Sequence, residues 1–252
     1  MNLQEKLRAG QKVYGTMVRV VRNPALAYLA KNAGLDFVMY DCEHSNYNFE
    51  TLHDLFITGN ALGLPGLVRV PIATKDYISR SLDSGAAGVM SPMTDTPEIA
   101  RDIVKWSKYQ PTGERGYSTG CAHINFQGAA KHTEVMAEAN SRILSIAQIE
   151  TKLAVDNAEA IAAVEGIDAL LIGPNDLSLS LGVPGDLMNP IELEAIAHVA
   201  AACKKQGKAF GLHAGVKMIA KFIDDMQLVM SDTDTSILER GFKSVRESLQ
   251  AL

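Results

Sequence analysis

Two acidic residues, Glu150 and Asp176, come at or just after the ends of short apolar runs and are the first candidates for metal chemistry. If those runs are neighbouring parallel strands, the two carboxylates can meet over one ion. Two hard oxygen ligands, with water and substrate completing the shell, suit Mg²⁺, Mn²⁺ or Co²⁺. Without a histidine among the ligands, a tight zinc site is disfavoured. The alternative is that both carboxylates cap the helices that follow.

Arg69 is the second chemical signal, because it interrupts the apolar run Leu67-Val68-Arg69-Val70. A charged side chain in such a strand must find an anion, since an unpaired buried charge is costly. That anion is either a substrate group in the mouth of a barrel or a carboxylate on a neighbouring strand. Both interpretations can hold together.

His44 is the candidate general base, because histidine changes its charge near neutral pH. It follows Asp41 by three residues at the end of a predicted strand. Asp83, on a predicted helix that ends near Gly85, could reach over to orient His44, although taken alone it is typical of a solvated helical residue. His213 ends a later strand and is expected to line the pocket or its rim.

Eight short apolar runs alternate with helical patterns and must position these residues. The length of 252 residues is close to the ~250 typical of one (β/α)₈ barrel. Strand–helix alternation with continuously apolar strands indicates parallel strands covered by helices. An open doubly wound sheet is the alternative, but no Gly-x-Gly-x-x-Gly follows the first strand. The predicted strands are Val13–Val20, Phe37–Asp41, Gly66–Val70, Gly88–Met93, Ile143–Glu150, Ala169–Gly173, Ala209–His213 and Leu228–Ser231.

The sequence therefore predicts a single α/β domain over residues 1–252, a (β/α)₈ barrel, with polar residues gathered at the carboxyl ends of its strands. Helices are predicted at Pro97–Tyr109 and Ile191–Gln206, and Asn23-Pro24, Thr96-Pro97 and Asn189-Pro190 look like helix starts. A loop insertion at about residues 110–142 breaks the alternation. Connections of that length are usually functional or oligomer-forming, and a solvated loop with a short helix is the plainer alternative.

Composition excludes several classes of function. A net charge of −5 provides no basic surface for nucleic acid or an anionic membrane. Three widely spaced cysteines indicate neither a disulfide framework nor a metal knuckle. The first residues lack the apolar core of a signal peptide, and no uncharged apolar run reaches ~18 residues. These features predict a soluble protein of the reducing cytoplasm.

Five motifs in order resemble the HpcH/HpaI aldolase/citrate lyase family, of the phosphoenolpyruvate/pyruvate barrel superfamily. They are Asp41-x-Glu43-His44, Val68-Arg69-Val70-Pro71, Gly113-x-Arg115-Gly116, Gln148-Ile149-Glu150-Thr151 and Ile172-Gly173-Pro174-x-Asp176-Leu177-Ser178. The family includes hydroxy-oxo-heptanedioate, dehydro-deoxy-glucarate and keto-deoxy-rhamnonate aldolases, and the resemblance covers nearly the whole chain.

The resemblance implies a role for each matching residue. Glu150 and Asp176 would bind the metal, while Gln148 would order a metal-bound water or the substrate. Arg69 would stabilise an enolate oxygen, and His44, in a dyad with Asp83, would move the hydroxyl proton. Backbone around Gly173, Pro174 and Asn175 would approach the pyruvate carboxylate, with Asn175 and Asp176 as the donors because proline has no N–H. Family members are commonly hexamers in which the last helix, here Thr235–Leu252, packs on a neighbouring subunit.

The implied function is that of a metal-dependent aldolase that cleaves a 4-hydroxy-2-oxo acid into pyruvate, or a close α-keto acid, and an aldehyde. A lyase acting on malyl- or citramalyl-CoA, an α-keto acid decarboxylase using the same site and a silent binding protein are the alternatives. A Schiff-base aldolase would need a lysine in the barrel, and no predicted strand contains one. Arg19 and Arg22 stand where many members are apolar or aromatic, and residues 117–123 differ from several aldolases, so the aldehyde is not implied.

Overall fold

Eight parallel strands close into a barrel in chain order in the computed structural model, which describes residues 1–128 and 131–252. All eight predicted strands are confirmed, and their bounds shift by no more than two residues. They are β1 (Val13–Val18), β2 (Phe37–Asp41), β3 (Gly66–Arg69), β4 (Gly88–Ser91), β5 (Leu144–Ile149), β6 (Ala169–Ile172), β7 (Ala209–His213) and β8 (Leu228–Thr233). The predicted barrel fold is therefore correct.

Helices surround the barrel, except that α1, before the first strand, packs its Leu3 and Leu7 against the residues of the barrel interior. They are α1 (Leu3–Arg8), α2 (Leu26–Asn32), α3 (Phe49–Leu62), α4 (Lys75–Asp83), α5 (Pro97–Ser107), α6 (His132–Arg142), α7 (Lys152–Asp156), α8 (Ala158–Ala162), α9 (Pro174–Ser180), α10 (Pro190–Gln206), α11 (Val216–Phe222) and α12 (Asp234–Gln250). None of the helices in the described ranges has the length and apolar composition needed to cross a bilayer.

Two of the three predicted helix starts are confirmed. Thr96 and Asn189 cap α5 and α10 by accepting hydrogen bonds from the backbone N–H groups of Ile99 and Ile191. The start at Asn23-Pro24 is wrong, because α2 begins only at Leu26. The Asn23 side chain instead accepts from the N–H of Ala25 at 2.9 Å and stabilises a turn before the helix.

The insertion between α5 and β5 is more ordered than the predicted loop. It contains a short 3₁₀ helix at Ala122–Ile124 and the 11-residue helix α6, which ends one residue before Ile143. Its residues Ala129 and Ala130 lie outside the described residues.

Two layers of apolar side chains hold the barrel together. Alternate strand residues such as Phe37, Met39 and Ile146 fill the interior, while their neighbours pack against the helices. Phe37 is completely buried, and its ring occupies the space beside Gly15. A Cβ atom at Gly15 would lie 2.4 Å from that ring, so glycine on β1 and phenylalanine on β2 are required together.

We expect Phe37→Ala to lower the free energy of unfolding by about 3–5 kcal/mol, because it leaves a cavity inside the closed barrel. Urea unfolding followed by circular dichroism measures the change. Phe126→Ala is the matched control, since Phe126 is 55% exposed, and it should cost less than about 1 kcal/mol. Equal effects of the two substitutions would contradict this account of the core.

Candidate active site

A cavity of about 440 Å³ opens at the carboxyl ends of the strands. This is the end at which barrels of this architecture carry their chemistry. Most of the predicted site residues line it, namely His44, Arg69, Gln148, Gly173, Pro174, Asn175 and Asp176, together with Arg19 and His213. The predicted convergence of polar residues from separate strands is thus present.

Arg69 is buried and held by the carboxylates of Asp41, the last residue of β2, and of Glu43, which follows that strand. Its Nε and Nη2 atoms donate to the two oxygens of Asp41 at 2.9 and 2.7 Å, and its Nη1 atom lies 2.9 Å from Glu43 Oε2. The register of the sheet explains the contact, because Asp41 on β2 is directly paired with Arg69 on β3. The structural ion pair expected as one alternative is therefore real, and Arg69 lines the cavity as well.

Asp41 connects this arginine to the loop after β2. Its carboxylate also accepts from Arg19 Nε at 2.9 Å and from the N–H groups of Glu43 and His44 at 3.1 and 3.3 Å. Burial by itself raises the pKa of Asp41, but the hydrogen bonds and charge of Arg69, with the charge of Arg19, outweigh it and leave that pKa below its ordinary value. Sequence reasoning gave Asp41 no role, although its place at a strand end beside Glu43-His44 was a signal.

Glu150 follows β5 and is almost completely buried. One of its oxygens accepts from the N–H of Met93 at 2.7 Å, and the other accepts from Gln148 Nε2. Met93 adopts a φ of 47°, a left-handed conformation that non-glycine residues rarely take. Burial raises the pKa of Glu150 to about 7, and the charges of Glu43 and Asp176 act in the same direction.

Gly173 makes the space in which Glu150 and Gln148 lie. The pairing of Ile149 with Ile172 sets Glu150 and Gly173 side by side, each directly after the end of its strand. A Cβ atom at Gly173 would lie 2.5 Å from Glu150 Oε2 and 2.6 Å from Gln148 Nε2. The N–H of Gly173 donates to Ile149 O at 3.1 Å, so this glycine supplies room rather than a hydrogen bond to a ligand.

Asp176 lies in the first turn of α9 and is half-buried. Within the described ranges its carboxylate makes no hydrogen bond or ion pair, yet its charge raises the pKa values of both Glu43 and Glu150. Gln148 Oε1 is buried and has no hydrogen-bond partner in the same part of the chain. A cation in this part of the cavity would be stabilised by the Asp176 carboxylate and by the amide oxygen of Gln148.

The donor set fits a hard divalent cation. Glu150, Asp176 and the free Gln148 oxygen are all oxygen donors, which Mg²⁺ and Mn²⁺ prefer. No group of three or more His, Cys, Asp or Glu side chains in the described residues is placed to hold a metal ion. An ion here would therefore be held by two carboxylates, with water and substrate as the other ligands.

His44 lies at the rim of the cavity, and its side chain is 53% exposed. Its Nε2 atom is 3.8 Å from Glu43 Oε2. The predicted dyad with Asp83 does not form within one chain. Asp83 ends α4, just before the amino end of β4, and it accepts from Arg115 Nη2 at 2.6 Å and lies 3.9 Å from His123 Nδ1.

Arg115 explains why the insertion carries a Gly-x-Arg-Gly motif. Its side chain is fully buried, and its guanidinium lies 4.7 Å from the centre of the Tyr109 ring. Gly113 permits the turn, since a Cβ there would lie 2.3 Å from Lys108 O. The motif thus ties the insertion to Asp83 and not to the cavity at the opposite end of the barrel.

Comparisons with known proteins agree with the geometry. The model of the HpcH/HpaI aldolase/citrate lyase family matches residues 17–232. The chain is 35% identical over 218 residues to a 4-hydroxy-4-methyl-2-oxoglutarate aldolase of Chaetomium globosum, covering 85% of this chain and 80% of that one. It is 37% identical over 210 residues to a 4-hydroxy-2-oxovalerate aldolase of Novosphingobium aromaticivorans, covering 80% and 76%.

A solved structure shows the same likeness over the whole fold. The HpcH/HpaI aldolase from Desulfitobacterium hafniense superimposes with a TM-score of 0.94 at 33% sequence identity, covering 100% of this chain and 98% of that one.

We expect Asp41→Asn to lower the free energy of unfolding at pH 7 by about 3–5 kcal/mol, because it removes a buried charge between two arginines. The lowered pKa of Asp41 means that its stabilisation is present above about pH 4 and is lost as the pH falls through the folded-state pKa. Chemical unfolding of both proteins from pH 7 to pH 3 measures the difference.

The control for this prediction is Asp156→Asn, which breaks an exposed pair with Lys152 and should cost at most about 1 kcal/mol. If the difference in unfolding free energy between the wild type and Asp41→Asn grew as the pH fell, the negative charge assigned to Asp41 would be contradicted.

Proposed function

The chain belongs to the HpcH/HpaI aldolase/citrate lyase family, and we propose that it is a divalent-metal-dependent aldolase. It cleaves a 4-hydroxy-2-oxo acid into pyruvate, or a close α-keto acid, and an aldehyde, and it catalyses the reverse condensation. The observation that carries this proposal is the buried carboxylate of Glu150, which accepts a hydrogen bond from Gln148. Gln148 has an unpartnered amide oxygen among the described residues, and it lines one cavity with Asp176 and Arg69.

Glu150 and Asp176 are the proposed metal ligands, and the ion is Mg²⁺, Mn²⁺ or Co²⁺. An ion held there would act as a Lewis acid toward the keto group of the substrate. Gln148 Oε1 orients a water or the substrate, since it has no other partner in the described residues. Gly173 keeps this pocket open, as the close approach of Glu150 and Gln148 requires.

Arg69 places a fixed positive charge where the enolate oxygen develops negative charge. Its orientation is set in advance by Asp41 and Glu43, so it does not have to reorganise during the reaction. The keto acid carboxylate is received by the N–H groups of Asn175 and Asp176 in the first turn of α9, which have no acceptor in the preceding turn. Pro174 cannot donate, and the Gly173 N–H is already engaged.

His44 takes the hydroxyl proton of the substrate during cleavage and returns it during condensation. Its half-exposed position at the rim supports transfer through a water molecule. The bond between C3 and C4 breaks, its electron pair remains with the keto acid half, and C3 then takes up a proton to become the methyl group of pyruvate. Asp83 has no part in this step within one chain, because Arg115 holds it.

The last helix supports a homo-oligomer. Leu238, Phe242, Val245 and Leu249 recur at helical spacing on α12 and are 41%, 71%, 60% and 64% exposed. Such an apolar stripe marks a surface for protein contact. We infer that α12 packs on a neighbouring copy, and the family resemblance favours a hexamer.

The cytoplasm remains the predicted location. This proposal rests on Cys42, Cys121 and Cys203, which are free thiols and suit a reducing compartment. The proposed small-molecule partners are the α-keto acid and the aldehyde.

Glu150→Ala is expected to reduce pyruvate release from 4-hydroxy-2-oxovalerate, and from oxaloacetate by decarboxylation, to the background rate. EDTA should do the same to the wild type, and Mg²⁺, Mn²⁺ or Co²⁺ should restore it, because the ion is held by Glu150. A coupled lactate dehydrogenase assay measures the pyruvate, and circular dichroism checks the fold.

Two glycine variants sharpen this test. Gly173→Ala should weaken Mn²⁺ binding measured by calorimetry at least about tenfold, since its Cβ displaces Glu150. Gly215→Ala should leave Mn²⁺ binding unchanged, because its Cβ meets nothing within 4 Å. Full activity of metal-stripped Glu150→Ala would overturn the proposed function.

Phe242→Glu is expected to reduce the molar mass in solution from that of an oligomer to the 27.2 kDa of one chain, because it places a charge in the apolar stripe. Light scattering after gel filtration measures the mass. Lys243→Glu, on an exposed polar position of the same helix, should leave it unchanged. A wild-type protein that already runs as a single chain would contradict the inferred contact.

A further inference from the structure

The cavity has two ends of different chemistry. Gln148 on β5 and Asp176 after β6 form one end, where the keto acid is proposed to bind. Arg19, just after β1, lies at the other, and in a closed ring of eight strands β1 stands opposite β5. A substrate anchored by its keto acid at the first end can therefore extend toward Arg19.

Arg19 has unused hydrogen-bonding capacity. Its Nε donates to Asp41, which is also held by two hydrogen bonds from Arg69. The contact found for its η nitrogens in the described residues is a weak one, 3.8 Å from Nη2 to Met17 Sδ. The side chain is 34% exposed, so the η edge of the guanidinium remains open to a ligand. That edge has the geometry that binds a carboxylate through two parallel hydrogen bonds.

The backbone before α2 fixes the position of Arg19. The carboxylate of Asp234, at the start of α12, accepts from the N–H groups of Arg19, Val20 and Val21 at 2.9, 2.9 and 2.8 Å. Asp234 is itself buried. The backbone directly after β1 is thereby held at three consecutive N–H groups, which fixes the position from which the Arg19 side chain extends.

Asp232 is another charged residue at this end of the cavity, and its carboxylate is already paired. Asp232 lines the cavity, but both of its oxygens are held by Arg240 at 2.7 Å. His213 donates from Nε2 to Asp232 O at 2.9 Å, and burial, with the charges of Arg69 and Arg19, lowers its pKa. Because Asp232 is paired with Arg240 and the η edge of Arg19 is open, the β1 end of the cavity can receive an anion.

We propose that Arg19 is a specificity-determining residue, which favours a 4-hydroxy-2-oxo acid with a second carboxylate on its hydroxylated half over one without it. The inference rests on the proposed aldolase function and names a residue that selects among its substrates. Cleavage of such an acid breaks the C3–C4 bond, transfers the hydroxyl proton to the base and releases pyruvate with an aldehyde that keeps the second carboxylate. No oxidant or reductant is needed.

Two substrates of equal length test the proposal directly. 4-Hydroxy-2-oxoglutarate and 4-hydroxy-2-oxovalerate differ only in a carboxylate or a methyl group at C5, and both yield pyruvate. The wild type is expected to have the higher kcat/KM for the dicarboxylate. Arg19→Met should lower the ratio of the two kcat/KM values about 10- to 100-fold, as expected for the loss of a charge-assisted hydrogen bond, with most of the change in KM for the dicarboxylate.

Two further variants control the experiment. Arg19→Lys keeps the positive charge and should retain part of the wild-type preference for the dicarboxylate, measured as the ratio of the two kcat/KM values. Arg22→Met should leave the ratio within about twofold, because Arg22 is exposed, donates to Val20 O and lies 5.2 Å from the Tyr47 ring outside the cavity.

An equal loss of activity toward both substrates in Arg19→Met would overturn the proposal, since Arg19 would then act only by supporting Asp41. Pyruvate release from both substrates with an unchanged ratio would overturn the Arg19 inference and leave the aldolase function standing. Failure of the wild type to release pyruvate from either substrate would overturn both.

Discussion

The site depends on a buried carboxylate, that of Glu150, which forms no ion pair within residues 1–128 and 131–252. Glu150 is almost inaccessible to water, and its partners are neutral N–H groups of Met93 and Gln148. Burial of a charge under such conditions is unfavourable, and it shows in the raised pKa of Glu150. The left-handed backbone of Met93 and the bare Cα of Gly173 both serve to hold this carboxylate in place. Conformational strain maintained around one acidic group is typical of a functional site.

On the opposite wall of the cavity, the buried charge is positive and is paired with carboxylates. Arg69 is buried but fully compensated by Asp41 and Glu43, so its positive charge is fixed in direction without destabilising the barrel. The cavity is therefore polarised, with carboxylates that need a cation at β5 and β6 and guanidinium groups at β1 and β3. A keto acid, which presents oxygen atoms to a cation and develops negative charge as its bond breaks, matches both walls.

The barrel was predictable from sequence because each strand is a continuous apolar run between polar segments. Phe37–Asp41 and Ala209–His213 needed no correction, since runs buried on both faces leave no ambiguity. Glu150, Asp176 and Arg69 were predictable for the related reason that polar residues at strand ends must converge at one rim. Arg69 and Asp176 line one cavity, and Glu150 contacts it through Gln148. The roles of all three residues stay a prediction.

What sequence reasoning missed depends on contacts between distant parts of the chain. Asp83 was paired with His44 by resemblance, whereas the structure pairs it with Arg115, 32 residues away in the insertion. Helix α6 was missed because its surroundings are polar and only Ala139 of it is buried. Arg19 stood out as a departure, but its contact with Asp41 depends on how β1 and β2 are placed side by side. No local pattern encodes such pairings.

The most direct test is a crystal structure of the protein with Mn²⁺, with the ion located by anomalous scattering. We expect one strong peak about 2.0–2.3 Å from carboxylate oxygens of both Glu150 and Asp176. A protein that binds Mn²⁺ elsewhere, or that leaves Glu150 bound only to Met93 and Gln148 at saturating Mn²⁺, would contradict it.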